Sequence, residues 1–177
     1  MAMGLCLTAP GIPMMFMGQE FLEDEPWSDY LDGDSELLIN WDGLTTDRHM
    51  RDFHRFTRDL LHLRRRLPAL TSEGLRCSYV NDHDRVLVFH RWVPGEGQDV
   101  VVVAHLAEIT RYGYRIGLPI AGRWLEAFNS DVYDHFVNPV VAGNGGEILA
   151  DPEPLHGFDA SAAVVLPAVS VLVFARE

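Results

Sequence analysis

Five carboxylates crowd one short stretch of this chain: Glu20, Glu23, Asp24, Glu25 and Asp29. Two carboxylates facing each other across a sugar, one as acid and one as nucleophile or base, can break a glycosidic bond. Spacing alone does not set these five face to face, and loop acids are ordinarily solvated. Lining a ligand or fixing the loop is therefore the better reading for Glu20 and its neighbours. Trp27, beside Pro26 in the same polar stretch, offers a ring face on which a sugar could stack. Trp92 and Trp124 fall in strand patterns, where a core role is the default.

Other chemistries find little support. His49, His54 and His62 lie in one helical pattern but do not make the i,i+4 pair of an HExxH metal site. His83 sits between Asp82 and Asp84, which suits either a base oriented by a carboxylate or a hairpin turn, and the turn is favoured. No serine stands in a G-x-S-x-G elbow and no glycine-rich phosphate loop is present; Gly143 to Gly146 reads as a turn. Neither a metal nor a cofactor is expected.

The elements that must carry these residues fall into three zones. In the first, "MAMGLCLT" reads as a short apolar helix stopped by Pro10 and Gly11, as though it were the end of a longer one. "GIPMMFMG" then reads as a buried strand delivering Gln19 and Glu20 at its C-terminal end. A loop follows to about Trp41, rich in Asp, Glu, Pro and Gly but with Phe21, Trp27, Tyr30 and Trp41 for internal packing. In the second zone, Met50, Phe53, Phe56, Leu60, Leu61 and Leu63 recur near the 3.6-residue period, which predicts a helix over 47–67. Thr46 or Asp47 would cap it and Pro68 would end it. Arg64, Arg65 and Arg66 in its last turn oppose the negative end of the helix dipole and read as a solvated group, not an anion site.

From about Leu75 the period changes to two. Short apolar runs are separated by "DHD", "PGEGQ", "AG" and "NGG" turns, and the continuous run Val100 to Val103 suits a strand covered on both faces. About a hundred residues of this pattern predict a compact antiparallel β-sandwich.

Composition narrows the partners. Fourteen Lys and Arg against 26 Asp and Glu give a net charge of -12, which disfavours nucleic acid and anionic membranes. No stretch reaches the roughly 20 apolar residues of a membrane-spanning helix. Cys6 and Cys77 lie in no metal or redox motif, so a reducing cytoplasm is expected, with a single disulfide still open.

The wording of the sequence goes further. "TAPGIPMMFMGQEF" resembles the eighth barrel strand of the α-amylase superfamily, whose glycoside hydrolases are built on a (β/α)8 barrel. "LEDEPWSD", "INWDGL" and "RDFHRFTRDLLHLRRRLPAL" resemble the segment after that strand in 1,4-α-glucan branching enzymes. "YGYRIGLPIAGRWLEAFNSD" (Tyr112 to Asp131) and "AAVVLPAVSVLVF" are similar to stretches of their C-terminal domain, in the same order.

This resemblance implies a mainly β chain: a C-terminal antiparallel β-sandwich preceded by a partial (β/α)8-barrel edge of last strand, loop and last helix. Residues 1–70 would be the barrel remnant and 71–177 the sandwich. Gln19, Glu20, Trp27 and Asp29 would bind substrate at the rim, because such barrels place their sites at the C-terminal ends of strands. The family's catalytic carboxylates belong to earlier strands and their motifs have no match here, so no catalytic residue is expected in this chain and it should be inactive alone. Its partners would be an α-glucan, the missing N-terminal barrel portion, and a second copy through the exposed barrel edge. A stand-alone carbohydrate-binding or barrel-stabilising module, or a piece of a related hydrolase, is the alternative.

Overall fold

The run Val100 to Val103 is wholly buried, and its alternate residues serve two different cores. Val101 and Val103 face one side with Val86, Val88, Leu172 and Phe174; Val100 and Val102 face the other with Val171 and Val173. A strand with both faces covered needs an apolar residue at every position, and that is what the sequence supplies. In the computed structural model, which describes residues 1–24 and 39–176, this strand lies inside a six-stranded sheet.

Among the described residues eight strands form: β1 (Gly74–Asn81), β2 (Val86–Trp92), β3 (Asp99–His105), β4 (Arg111–Leu118), β5 (Gly122–Asn129), β6 (Glu147–Ala150), β7 (Ala160–Leu166) and β8 (Ser170–Ala175). The larger sheet has the order β1-β2-β3-β8-β5-β6, and β4 pairs with β7 to make the second. Every pairing is antiparallel. Ile116, Leu118, Val164 and Leu166 of the small sheet, with Trp124 of β5, close the first core. Fully burying such a side chain contributes about 1.5–3 kcal/mol, so this layer is the main hold between the sheets.

The opposite face of the large sheet is covered by helices α1 (Ala2–Thr8) and α3 (Arg48–Arg66); a single turn, α2 (Gly43–Thr46), leads into the latter. Of the two expected caps, Asp47 is the one used: its carboxylate accepts from the backbone of His49 at 2.6 Å and Met50 at 3.3 Å. Phe56, Leu60 and Leu63 of α3 bury against β3, β5 and β8. Pro68 opens a 3-10 turn, Pro68–Leu70, that hands the chain to β1.

Two expectations need correction. Residues 12–16 form no strand: they have no regular structure, and Ile12 is 99% and Met14 82% exposed. A strand is stabilised by the ladder its neighbours supply, and among the described residues nothing pairs with this segment. The second concerns Arg64, which is not solvated with Arg65 and Arg66 but only 7% exposed. Its guanidinium points inward and donates to backbone carbonyls of the N-terminal segment. Cys6 and Cys77 are unbridged and exposed.

Candidate functional site

Gln19 and Glu20 stand together on a 3-10 turn, Gln19–Phe21. The chain enters it through Gly18 at φ 81°, a backbone conformation that disfavours side-chain-bearing residues; a Cβ there would also lie 2.3 Å from that of Glu23. The Gln19 side-chain oxygen accepts from the Phe16 backbone at 2.9 Å, while the Gln19 backbone donates back to Phe16 at 2.9 Å, so the residue closes its own approach loop. Phe21 is fully buried, and its ring lies 5.4 Å from that of Trp41. The Glu23 carboxylate accepts from the Asn40 backbone at 2.8 Å and ties the near end of the acidic loop to its far end.

The turn thus exposes the Gln19 amide and half-exposes the Glu20 carboxylate beside an anchored aromatic. Such groups can hydrogen-bond ligand hydroxyls; among the described residues no nucleophile–base pair accompanies them. Trp27, Asp29 and Glu25 lie outside the described residues.

The sandwich carries a second organised region that single residues did not reveal. Within "EAFNSD", the Glu126 carboxylate accepts from the Asn144 backbone at 3.0 Å, the Asn144 side chain at 2.8 Å and the Asn129 side chain at 3.3 Å. Asn129 also donates to the Ala142 carbonyl at 2.8 Å, and the Asp131 carboxylate accepts from the Ala142 backbone at 2.8 Å. Ser130 accepts from the Val171 backbone at 2.9 Å. The motif therefore pins the loop 130–146 to β5 and β8. Asn144, within the stretch read only as a turn, carries the far half of it.

Beside this loop a cavity of about 240 Å³ opens, lined by His49, Asp52 and Phe53 of α3 and by Tyr133, Asp134 and His135. Tyr133 donates to Asp59 at 2.9 Å, and burial together with that bond holds its phenol above the ordinary value. Its ring packs on Phe56, Phe128 and Phe136, so its faces are already used.

The remaining candidates resolve simply. His83 is exposed in the turn between β1 and β2. Trp124 is 0% exposed and donates to the Ile120 carbonyl at 3.0 Å; Trp92 stacks on His90 at 4.8 Å. His90 bonds Asp99 at 2.6 Å, a pair made only by the β2–β3 register and so invisible to sequence spacing. Among the described residues no three His, Cys, Asp or Glu side chains converge as a metal site would require, and no helix is long and apolar enough to cross a membrane.

An antiparallel all-β domain of this kind is what the C-terminal domain of α-amylases is described as. The chain belongs to the family described as Alpha amylase, C-terminal all-beta domain, which matches residues 78–177. It is 34% identical over 177 residues to the 1,4-alpha-glucan branching enzyme GlgB of Cupriavidus pinatubonensis, covering 96% of this chain and 22% of that protein. It is 36% identical over 177 residues to the enzyme of the same name from Cupriavidus necator, with 96% and 22% covered. For that of Frankia casuarinae the identity is 35% over 172 residues, with 92% and 20% covered. The chain thus spans about a fifth of the length of these relatives. An α-amylase structure from Anoxybacillus shares its fold with a TM-score of 0.62 at 19% identity, covering 97% of this chain and 30% of the other.

Proposed function

We propose that this chain is the C-terminal portion of a 1,4-α-glucan branching enzyme, which moves α-1,4-linked glucan segments to 6-hydroxyls in glycogen synthesis. The observation that carries this reading is the 34% identity to GlgB of Cupriavidus pinatubonensis, which runs through 96% of the chain and so includes the Gln19–Phe21 turn as well as the sandwich. The pinned loop gives a physical reason for the "EAFNSD" wording on which the resemblance rests.

In this reading residues 1–70 complete the barrel and 71–177 form the domain packed behind it. Gln19, Glu20, Trp27 and Asp29 line the glucan site, and no catalytic residue lies in this chain. The carboxylates that perform retaining transfer through a covalent glucosyl intermediate belong to the part of the relatives that this chain does not span. The partners are then an α-glucan and the N-terminal barrel portion, and the compartment is the cytoplasm.

A chimera tests this. The chain replaces the matching C-terminal fifth of the Cupriavidus pinatubonensis enzyme, and new α-1,6 linkages on amylose are counted by proton NMR. The chimera is expected to branch and the chain alone to be silent. A chimera that folds and binds glucan but makes no α-1,6 linkage would overturn the proposal, as would branching by the chain alone.

A further inference from the structure

Two arginines are buried side by side with no carboxylate between them. Arg91 of β2 is 0% exposed, Arg64 of α3 only 7%, and among the described residues neither makes an ion pair. Burial pushes both guanidinium groups below their ordinary values, and for Arg91 the neighbouring Arg64 charge adds to that. Such a pair is costly unless every donor is well used.

The partners are backbone carbonyls, mostly of one segment. Arg64 donates to Leu7 at 2.7 Å, Ala9 at 2.9 Å and Gly11 at 2.7 Å. Arg91 donates to Thr8 at 2.5 Å, and to Gly74 at 2.9 Å and Ser72 on its own side. The last carbonyls of a helix lack intrahelical partners and carry its negative end, which suits two cations. The grip nevertheless reaches past the α1 cap at Ala9 to Gly11, where the chain turns with φ 91° into the 12–17 segment. The far end of that segment is fixed separately, by the buried Phe21 on the turn packed against α3.

We propose that Arg64 and Arg91 are positioning residues: by holding residues 7–11 against α3 and β2, they fix the near end of the 12–21 segment and, together with Phe21 at its far end, set where it presents Gln19 and Glu20. The role of those two residues rests on the reading as a branching-enzyme portion; the clamp itself does not.

Hydrogen exchange on the 177-residue chain, followed amide by amide, tests the clamp without any glucan. In Arg64→Met and Arg91→Met, exchange is expected to quicken at Leu5 and Ala9 in α1 and also at Phe16, Gln19 and Phe21. The factor is roughly 10- to 100-fold, as loss of a charge-assisted bond implies. Val101, Val103 and Leu172 in the sheet keep their protection. Arg64→Lys, whose ammonium can reach some of the three carbonyls but not all, recovers part of it. Should Arg91→Met fail to fold, the pair Arg64→Met and Arg64→Lys decides alone. Faster exchange confined to Leu5 and Ala9 would reduce the arginines to a helix cap and overturn the proposal. So would a lysine variant no better than the methionine one. Neither outcome touches the chimera experiment, so the two readings fail separately.

Discussion

His156 shows how a residue absent from every motif can set a measurable property. Its Nδ1 accepts from the Gly117 backbone at 3.2 Å, which places the proton on Nε2, and its ring lies flat on Tyr79 at 3.7 Å. His90, which meets Phe158 of the same loop edge-on, is held against Asp99. Burial pushes both imidazoles below the ordinary value of 6.5; for His90, Arg76 also lowers it and Asp99 opposes. The unfolded chain then takes up protons before the folded one does. Stability is therefore fully present above about pH 6.5 and is lost as pH falls through the lower folded values. We expect the urea midpoint to fall from neutral pH toward pH 5, and to fall less steeply in a His156→Phe variant, which keeps the ring stack but not the titration. An equal fall in both proteins would remove His156 from the account. None of this was legible beforehand, because the partners Tyr79 and Gly117 come from β1 and β4, far along the chain.

At the scale of elements most of the fold was legible, and for local reasons. The apolar runs and the turn residues between them located the strand-forming stretches that become β1 to β8, without their individual bounds, and the apolar repeat with Asp47 and Pro68 placed α3 to within a residue. What failed was the strand expected at 11–18, since reading an apolar run as a strand assumes a ladder that sequence does not display. Arg64 failed similarly: its position in the last turn was right, but the carbonyls it reaches lie more than fifty residues away. Of the candidate site, the Gln19–Glu20 pair was legible as a unit at the end of the apolar run, whereas its 3-10 geometry was not.

The docking of α1 gives a prediction of its own. A Cβ on Gly4 would sit 2.9 Å from Val171 Cγ2, so the α1 backbone packs directly on the Val171 side chain of β8. A Gly4→Leu change gains about 1 kcal/mol of helix propensity. It should lose more, about 1–3 kcal/mol, to overpacking against β8. The net effect should be a lowered melting temperature with faster exchange at Leu5 and Ala9. A rise in melting temperature would mean that α1 is held by the arginines alone and not by its contact with the sheet.

For the whole molecule, two surface properties oppose each other. The net charge of -12 repels a second copy, while the 12–17 segment with Ile12, Met14 and Met17 exposed attracts one. Each such side chain covered in a contact contributes about 1.5–3 kcal/mol, and that term does not depend on screening. The charge term does: the screening length falls from about 10 Å at 0.1 M salt to about 3 Å at 1 M. Attraction should therefore win, and win more clearly as salt rises. Sedimentation velocity across a concentration series is expected to show self-association at about 0.1 M salt and more of it at about 1 M, where repulsion is screened away. An Ile12→Lys, Met14→Lys double variant should stay monomeric at both, because it removes the two most exposed apolar side chains of the 12–17 segment without touching the sandwich. A wild-type chain that remains monomeric throughout, even at about 1 M salt where the charge is screened, would show that this apolar segment is too small a surface to hold a second copy.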